Sequence, residues 1–326
     1  MKRRSWLIAL IGICSLCVCS AVGQQPLPTE RFKASAQHAS FEWIFLPIDV
    51  GKDRGLWIRN GLDPEFLPSA ASAVQLKQQV EAGIKIGLVN TAEVLLARLQ
   101  GAPVKVVAGY FGETTAKIFV RADAPMKTAK DLDGMKVGIL SETHTSYRAV
   151  LYMNHKLGIK AEPVALGNLA NNMAALRAGT VDAFYSAEGV ALTLVDSGVL
   201  KILVALADIY PRPYTAVVVW ATDDLIDQKP DLVKRFVKTV LEAVTYLKEH
   251  PDHASDLYIK KTGASRDVAG RAVTELNKIL MPDGRGSGQD LVAAVAGNWE
   301  FTKDSGAIAP GTNINIKDAV DVRFLP

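Results

Sequence analysis

Short β-rich apolar runs alternate with stretches of helical periodicity along most of this chain, and that alternation constrains the fold more than any other feature. Ala39–Phe45, Ile84–Val89, Val104–Ala108, Ile118–Val120, Lys136–Ile139, Val181–Tyr185, Ile202–Ala205 and Ala216–Trp220 read as strands. Between them, Ala73–Ala82, Ala92–Gln100, Tyr147–Leu157, Asn168–Ala178 and Ala187–Ser197 read as helices. A strand followed by a helix and another strand returns across the same sheet, so an α/β fold is expected, with binding loops beyond the carboxyl ends of the strands. The last third turns helical over Pro230–Lys248, Asp252–Lys261, Arg266–Ile279 and Gln289–Ser305, with Pro251, Gly263 and Pro282-Asp283-Gly284 as breaks. One unit occurs twice. Gln75–Val89 runs helix, Ala82-Gly83, strand, ending at Asn90; Met173–Tyr185 runs helix, Ala178-Gly179, strand, ending at Ser186. The echo suggests two similar lobes, each presenting a loop at the same sheet end (Asn90-Thr91 and Ser186-Ala187).

The first 23 residues carry a different message. Lys2, Arg3 and Arg4 precede an apolar run from Trp6 to Val18, and Ala21-Val22-Gly23 supplies a small-x-small pattern before Gln24. These are the marks of a secretory signal, and the run is too short for a membrane-spanning helix. Cleavage near Gly23/Gln24 and a periplasmic location are expected, by the Sec route in preference to the twin-arginine route that Arg3-Arg4-Ser5-Trp6-Leu7 also resembles. All three cysteines (14, 17 and 19) lie in this leader, each after a bulky residue that argues against lipoprotein processing. The remaining chain must therefore be held by its core and not by disulfides. Three of the 37 basic residues also leave with the leader, so the rest balance the 34 acidic ones. No basic stripe remains for nucleic acid or an anionic membrane, and no later apolar run is long enough to insert in a bilayer.

Several segments resemble the solute-binding proteins of ABC importers, in the nitrate/sulfonate/taurine and NMT1/THI5-like family. Pro47-Ile48-Asp49-Val50-Gly51-Lys52-Asp53-Arg54-Gly55-Leu56-Trp57, followed by Asn60-Gly61-Leu62, looks like that family's first helix and turn. Lys130-Asp131-Leu132-Asp133-Gly134-Met135-Lys136-Val137-Gly138 is similar to its entry into the second lobe, and Ala178-Gly179-Thr180-Val181-Asp182-Ala183 to its following strand. Lys229-Pro230-Asp231-Leu232-Val233 through Glu249-His250-Pro251 matches a later helix. Ile86 departs from the pattern, standing where the first copy usually has an Asp aligned with Asp182. The resemblance implies a type II periplasmic-binding fold of two lobes with mixed sheets joined by a two-segment hinge. Residues 34–121 and 214–326 would form lobe I and 122–213 lobe II, with the ligand in the cleft.

No catalytic, cofactor or metal constellation stands out: there is no HExxH, Gly-x-Ser-x-Gly or Walker loop, and His250 and His253 read as solvated. Ligand candidates are therefore the loops at strand ends. Ser141, Glu142, Thr143, His144 and Thr145 precede a helix, where backbone N–H groups and hydroxyls can hold an anionic group or where Thr145 or Ser146 can simply cap. Tyr185 either stacks on a ligand or closes the core, and Glu188 either pairs with a ligand or caps its helix. Tyr110 and Tyr214 near the crossings, Trp43, Phe45 and Leu46 after the first strand, and Asn90 and Thr91 complete the set. The aromatic and acidic members point to an organic ligand with a ring and a hydrogen-bond donor. The expected function is capture of a small organic solute, aromatic or anionic, for an ABC permease and its ATPase, without chemistry or cofactor. An enzyme on the same fold (a pyrimidine-precursor synthase or a menaquinone-pathway relative) and a soluble sensor are the competing readings.

Overall fold

Two five-stranded mixed sheets share one plan. The computed structural model describes residues 29–36, 45–68, 72–142, 144–187, 189–306 and 308–326. In the first sheet, β1 (Glu30–Ala36) lies between β2 (Leu62–Pro68) and β3 (Ile86–Asn90), parallel to both. β4 (Val104–Gly109) is separated from β3 by an antiparallel strand, β10 (Val217–Thr222). The second sheet repeats this arrangement. β6 (Lys136–Ile139) pairs in parallel with β7 (Glu162–Ala165) and β8 (Ala183–Ser186), and β5 (Lys117–Arg121) runs antiparallel between β8 and β9 (Leu200–Ala205). The orders β2-β1-β3-β10-β4 and β7-β6-β8-β5-β9 are therefore equivalent. In each sheet the antiparallel strand is the first one reached after the chain crosses from the other. β3 and β8, the strands of the sequence echo, hold the same central place, so the repeat is architectural.

Both sheets are covered on both faces, which explains the uninterrupted apolar character of their central strands. All six residues of β10 are buried. One face of the first sheet packs on α1 (Leu46–Asp53), α9 (Pro230–Glu249), α10 (Pro251–Thr262) and α11 (Arg266–Ile279). In α9, Pro230 starts the first turn, and Leu232, Val233, Phe236, Val237, Val240, Leu241, Val244 and Leu247 form a buried stripe at helical spacing. The opposite face packs on α3 (Ala73–Glu81), α4 (Thr91–Leu99) and α12 (Leu291–Asp304). Across the second sheet, α5 (Thr145–Leu157) covers one side, and α6 (Leu169–Ala178) with α7 (Gly189–Asp196) the other.

Three strands escape the sequence reading. β2 and β7 contain Pro64 and Pro163, which look like strand breakers but are tolerated at sheet edges, where both strands lie. β1 is dominated by charged and small residues, and its inner half, Ala34–Ala36, is buried. Of the strand expected at 39–45, residues 39–44 lie outside the described residues, and Phe45 is the N-cap of α1 instead. The expected lobe I limit at residue 121 also runs one strand too far, because β5 hydrogen-bonds in the second sheet. The first crossing is 110–116. Ile86, the departure from the family pattern, is buried in the first core, whereas the Asp182 carboxylate accepts from the Lys136 N–H at 2.9 Å and ties β8 to β6.

Helix α12 spans both lobes, with Leu291, Val295 and Trp299 in the first core and Phe301 in the second. It lies directly against the second crossing: a Cβ on Gly297 would sit 2.0 Å from the Pro213 carbonyl oxygen. Gly297→Ala should therefore destabilise the protein by about 1–3 kcal/mol in urea unfolding. Gly270→Ala in α11, where nothing lies within 4 Å of the added carbon, should instead stabilise by up to about 1 kcal/mol through helix propensity. Equal effects would show that α12 does not need the close approach.

Candidate functional site

A cavity of about 170 Å³ lies where the carboxyl ends of the two sheets face each other across the crossings. The endings of the repeated units supply Asn90 from the first lobe and Tyr185, Ser186 and Ala187 from the second. Leu140, His144, Thr145 and Arg148 come from the end of β6 and the first turn of α5. The crossings add Phe111, Glu113, Thr114, Thr115, Tyr210, Tyr214 and Ala216, and α12 adds Asn298 and Phe301.

The floor is built on a salt bridge between the lobes. Arg148 on α5 donates to Glu93 on α4 at 2.6 Å, with the two side chains only 10% and 2% exposed. A second bond, at 3.2 Å, runs to the Thr145 hydroxyl one turn earlier, since residues three apart share a helix face. Burial pushes the Glu93 carboxyl above the usual range against the opposing pull of Arg148. The guanidinium itself does not deprotonate. A second charge on the wall, Glu113, is matched by Arg212 at 2.8 Å.

His144 sits at the head of α5 as its N-cap. Its Nδ1 accepts from the Ser146 N–H at 3.0 Å, and Ser146 Oγ accepts from the Leu140 N–H at 3.1 Å. The helix is thus capped by the histidine and not by Thr145 or Ser146. Burial, reinforced by the Arg148 charge, lowers the imidazole pKa to about 4. The ring is neutral near pH 7, and with Nδ1 accepting, its proton is on Nε2.

The upper wall is aromatic. Tyr210 packs 4.5 Å from Phe301 and 5.5 Å from Tyr214, centroid to centroid, while Tyr185 meets His144 edge-on at 6.3 Å. Burial raises the phenol pKa values of Tyr210 and Tyr214, so both stay protonated as hydrogen-bonding groups. Tyr185 belongs to the second core and also lines the cavity.

Of the expected site residues, Asn90, His144, Thr145, Tyr185 and Tyr214 meet at this cavity. Phe45 and Leu46 do not: both are wholly buried in the first core. Tyr110 is likewise buried, and its neighbour Phe111 reaches the wall instead. Thr91 is a support, donating at 2.8 Å to the Thr215 carbonyl. Ser141 and Glu142 do not line it, although Leu140 before them and His144 after them do. Trp43, Thr143 and Glu188 lie outside the described residues. Arg148, Tyr210 and Asn298 are lining residues that sequence reading missed. Arg148 had a readable signal, three residues after Thr145 on a helix that begins at the site. Asn298 had none, because only the docking of α12 brings it there.

Comparison with known proteins places this architecture. A family model described as NMT1/THI5 like matches residues 44–254. The chain belongs to the NMT1/THI5-like family. A riboflavin-binding protein, RibY, of Chloroflexus aurantiacus is 26% identical over 222 residues, covering 66% of this chain. The match spans 62% of that relative's own length. The alkanesulfonate-binding protein SsuA of Xanthomonas axonopodis pv. citri, solved with MOPS, superposes with a TM-score of 0.70 at 16% identity over 90% of this chain and 99% of its own. The periplasmic aliphatic sulphonate binding protein SsuA of Escherichia coli gives 0.70 at 17% identity, covering 89% and 91%. The fold is that of the periplasmic binding proteins.

The neutral capping histidine makes stability depend on pH. A pKa lowered on folding gives stability that is complete above about 6.5 and is lost as pH falls towards 4. The drop from 6.5 to about 4 corresponds to about 3 kcal/mol. Glu93, shifted upward, acts with the opposite sign and offsets part of this. His144→Asn keeps a capping side chain, so urea unfolding from pH 7 to 4 should show a smaller loss in the variant. Parallel curves would mean that folding does not lower the His144 pKa.

Proposed function

We propose that this protein is the solute-capturing component of an ABC importer, exported behind its N-terminal signal, and that it holds a neutral, ring-bearing organic solute between its lobes. In this reading the first sheet with α1, α3, α4 and α8 (Asp223–Gln228) through α12 forms lobe I, the second sheet with α5 to α7 forms lobe II, and 110–116 with 206–216 are the hinge. The observation that carries the choice of solute is charge balance. Arg148 and Glu113, the charged residues of the wall, each already have a counter-ion at hydrogen-bond distance. A simple sulfonate or nitrate would have to compete with Glu93 for Arg148, whereas a flat heterocycle finds Phe111, Tyr185, Tyr210, Tyr214 and Phe301 beside it. The riboflavin-binding relative supports the same ligand class.

Capture works through closure, and the lobes are in contact here. A Cβ on Gly189 of α7 would lie 2.6 Å from Ala272 of α11. Lys117 of β5 pairs with Glu275 of α11 at 3.1 Å, and Arg271 of α11 with Asp196 of α7 at 3.1 Å. A ligand that touches both lobes stabilises this closed form by its differential affinity, and the permease would read the closed form.

Thermal shift and calorimetry on protein from Gln24 onward, refolded to strip carried-over ligand, test this reading. Riboflavin should raise Tm, with about 2.7 kcal/mol of stabilisation at a hundred times Kd, and alkanesulfonates should not. Gly189→Leu should weaken binding at least tenfold while each lobe stays folded. Glu93→Gln, which leaves Arg148 without its counter-ion, should shift preference towards sulfonates. Tight sulfonate binding by the unaltered protein, or turnover of any bound solute, would contradict the proposal.

A further inference from the structure

Three polar atoms on residues that wall the cavity are buried and have no hydrogen-bond partner in the protein: Arg148 Nε, Tyr210 Oη and Asn298 Oδ1. Such groups carry a desolvation cost, and several of them around one cavity mark where a ligand supplies the missing partners. Their chemistry is defined by their surroundings. Arg148 Nε–H can only donate. Asn298 is held in one orientation because its Nδ2 donates to the Thr215 carbonyl at 2.9 Å, an oxygen that also accepts from Thr91 and has no hydrogen to give. Its Oδ1 is therefore an acceptor. Tyr210 stays protonated and offers a hydroxyl donor.

Resting on the capture reading above, we propose that Arg148, Asn298 and Tyr210 recognise a cyclic imide edge, the carbonyl–NH–carbonyl face of a flavin or pyrimidinedione ring. Arg148 Nε–H and the Tyr210 hydroxyl each donate to one carbonyl, and Asn298 Oδ1 accepts from the N–H between them. Two donors and one acceptor match that edge in hydrogen-bonding character. A carboxylate or sulfonate presents only lone pairs and would face Asn298 Oδ1 unfavourably. The aromatic rings of Tyr214 and Phe301, 6.1 Å apart and perpendicular, supply apolar surface for the body of the ring system.

The test uses riboflavin and its N3-methyl derivative, titrated calorimetrically into the unaltered protein and into Tyr210→Phe. Methylation removes only the imide N–H and should weaken binding at least tenfold. Tyr210→Phe removes only an unpartnered buried hydroxyl, so it should weaken riboflavin binding about tenfold while leaving the apo Tm unchanged or raised. A purely structural tyrosine would lower the apo Tm instead. Equal affinity for the two flavins overturns the imide assignment while solute capture stands. So does binding of an imide-free aromatic when neither flavin binds. Failure of both flavins and of an imide-free aromatic to bind would remove the capture reading and this inference together.

Discussion

A guanidinium and a carboxylate 2.6 Å apart, both nearly out of water and belonging to different lobes, fix the character of this cleft. Breaking such a buried pair by removing one partner costs about 3–5 kcal/mol, because the other charge is left stranded. The pair therefore acts as a register between lobes: Arg148 meets Glu93 only when the first turn of α5 faces the start of α4. It also removes the positive charge that would otherwise dominate the site. With Glu113 matched by Arg212, what remains on the wall is ring surface and a few polar groups.

The scaffold makes that meeting possible by exchanging strands. Each sheet is completed by an antiparallel strand that the chain reaches on crossing from the other, so both crossings run beside the cavity. They are secured by the chain around residues 279–287, where Gly112 N–H donates to the Ile279 carbonyl at 2.8 Å and Ser287 N–H to the Tyr214 carbonyl at 3.0 Å. Helix α12, pressed against Pro213 through Gly297, reaches from one core to the other. The lobes are thus joined at the crossings, and α7 and α11 also meet across them. There Glu275 is a small hub. Burial raises its pKa, but hydrogen bonds from Lys278 and Lys117 outweigh that and hold it below the usual range.

Most of this fold was legible because period and punctuation agreed. Arg266–Ile279 and Pro230–Lys248 read as helices set off by Pro251 and Gly263, and in three dimensions Pro251 starts α10 while Gly263 caps its end. The doubled helix–Gly–strand unit located the two sheet ends that do face each other. What stayed hidden depended on context: edge strands that tolerate Pro64 and Pro163, and a first strand whose partners are 32 and 52 positions away by register. The site was half readable. Residues at strand ends and at the head of α5 follow from topology, whereas Tyr210 and Asn298 arrive through a crossing and a distant helix that no local pattern announces. Phe45 and Leu46 misled because an apolar strand end and an apolar helix start look alike in sequence.

A crystal structure of the protein with riboflavin soaked or co-crystallised addresses the central claim most directly. The account predicts the ring system between the sheet ends, touching Arg148, Tyr185 and Asn298, with the Arg148–Glu93 pair intact. A flavin seated on the outer face of one lobe, or a cleft in which Glu93 has been displaced from Arg148 by an anion, would contradict it.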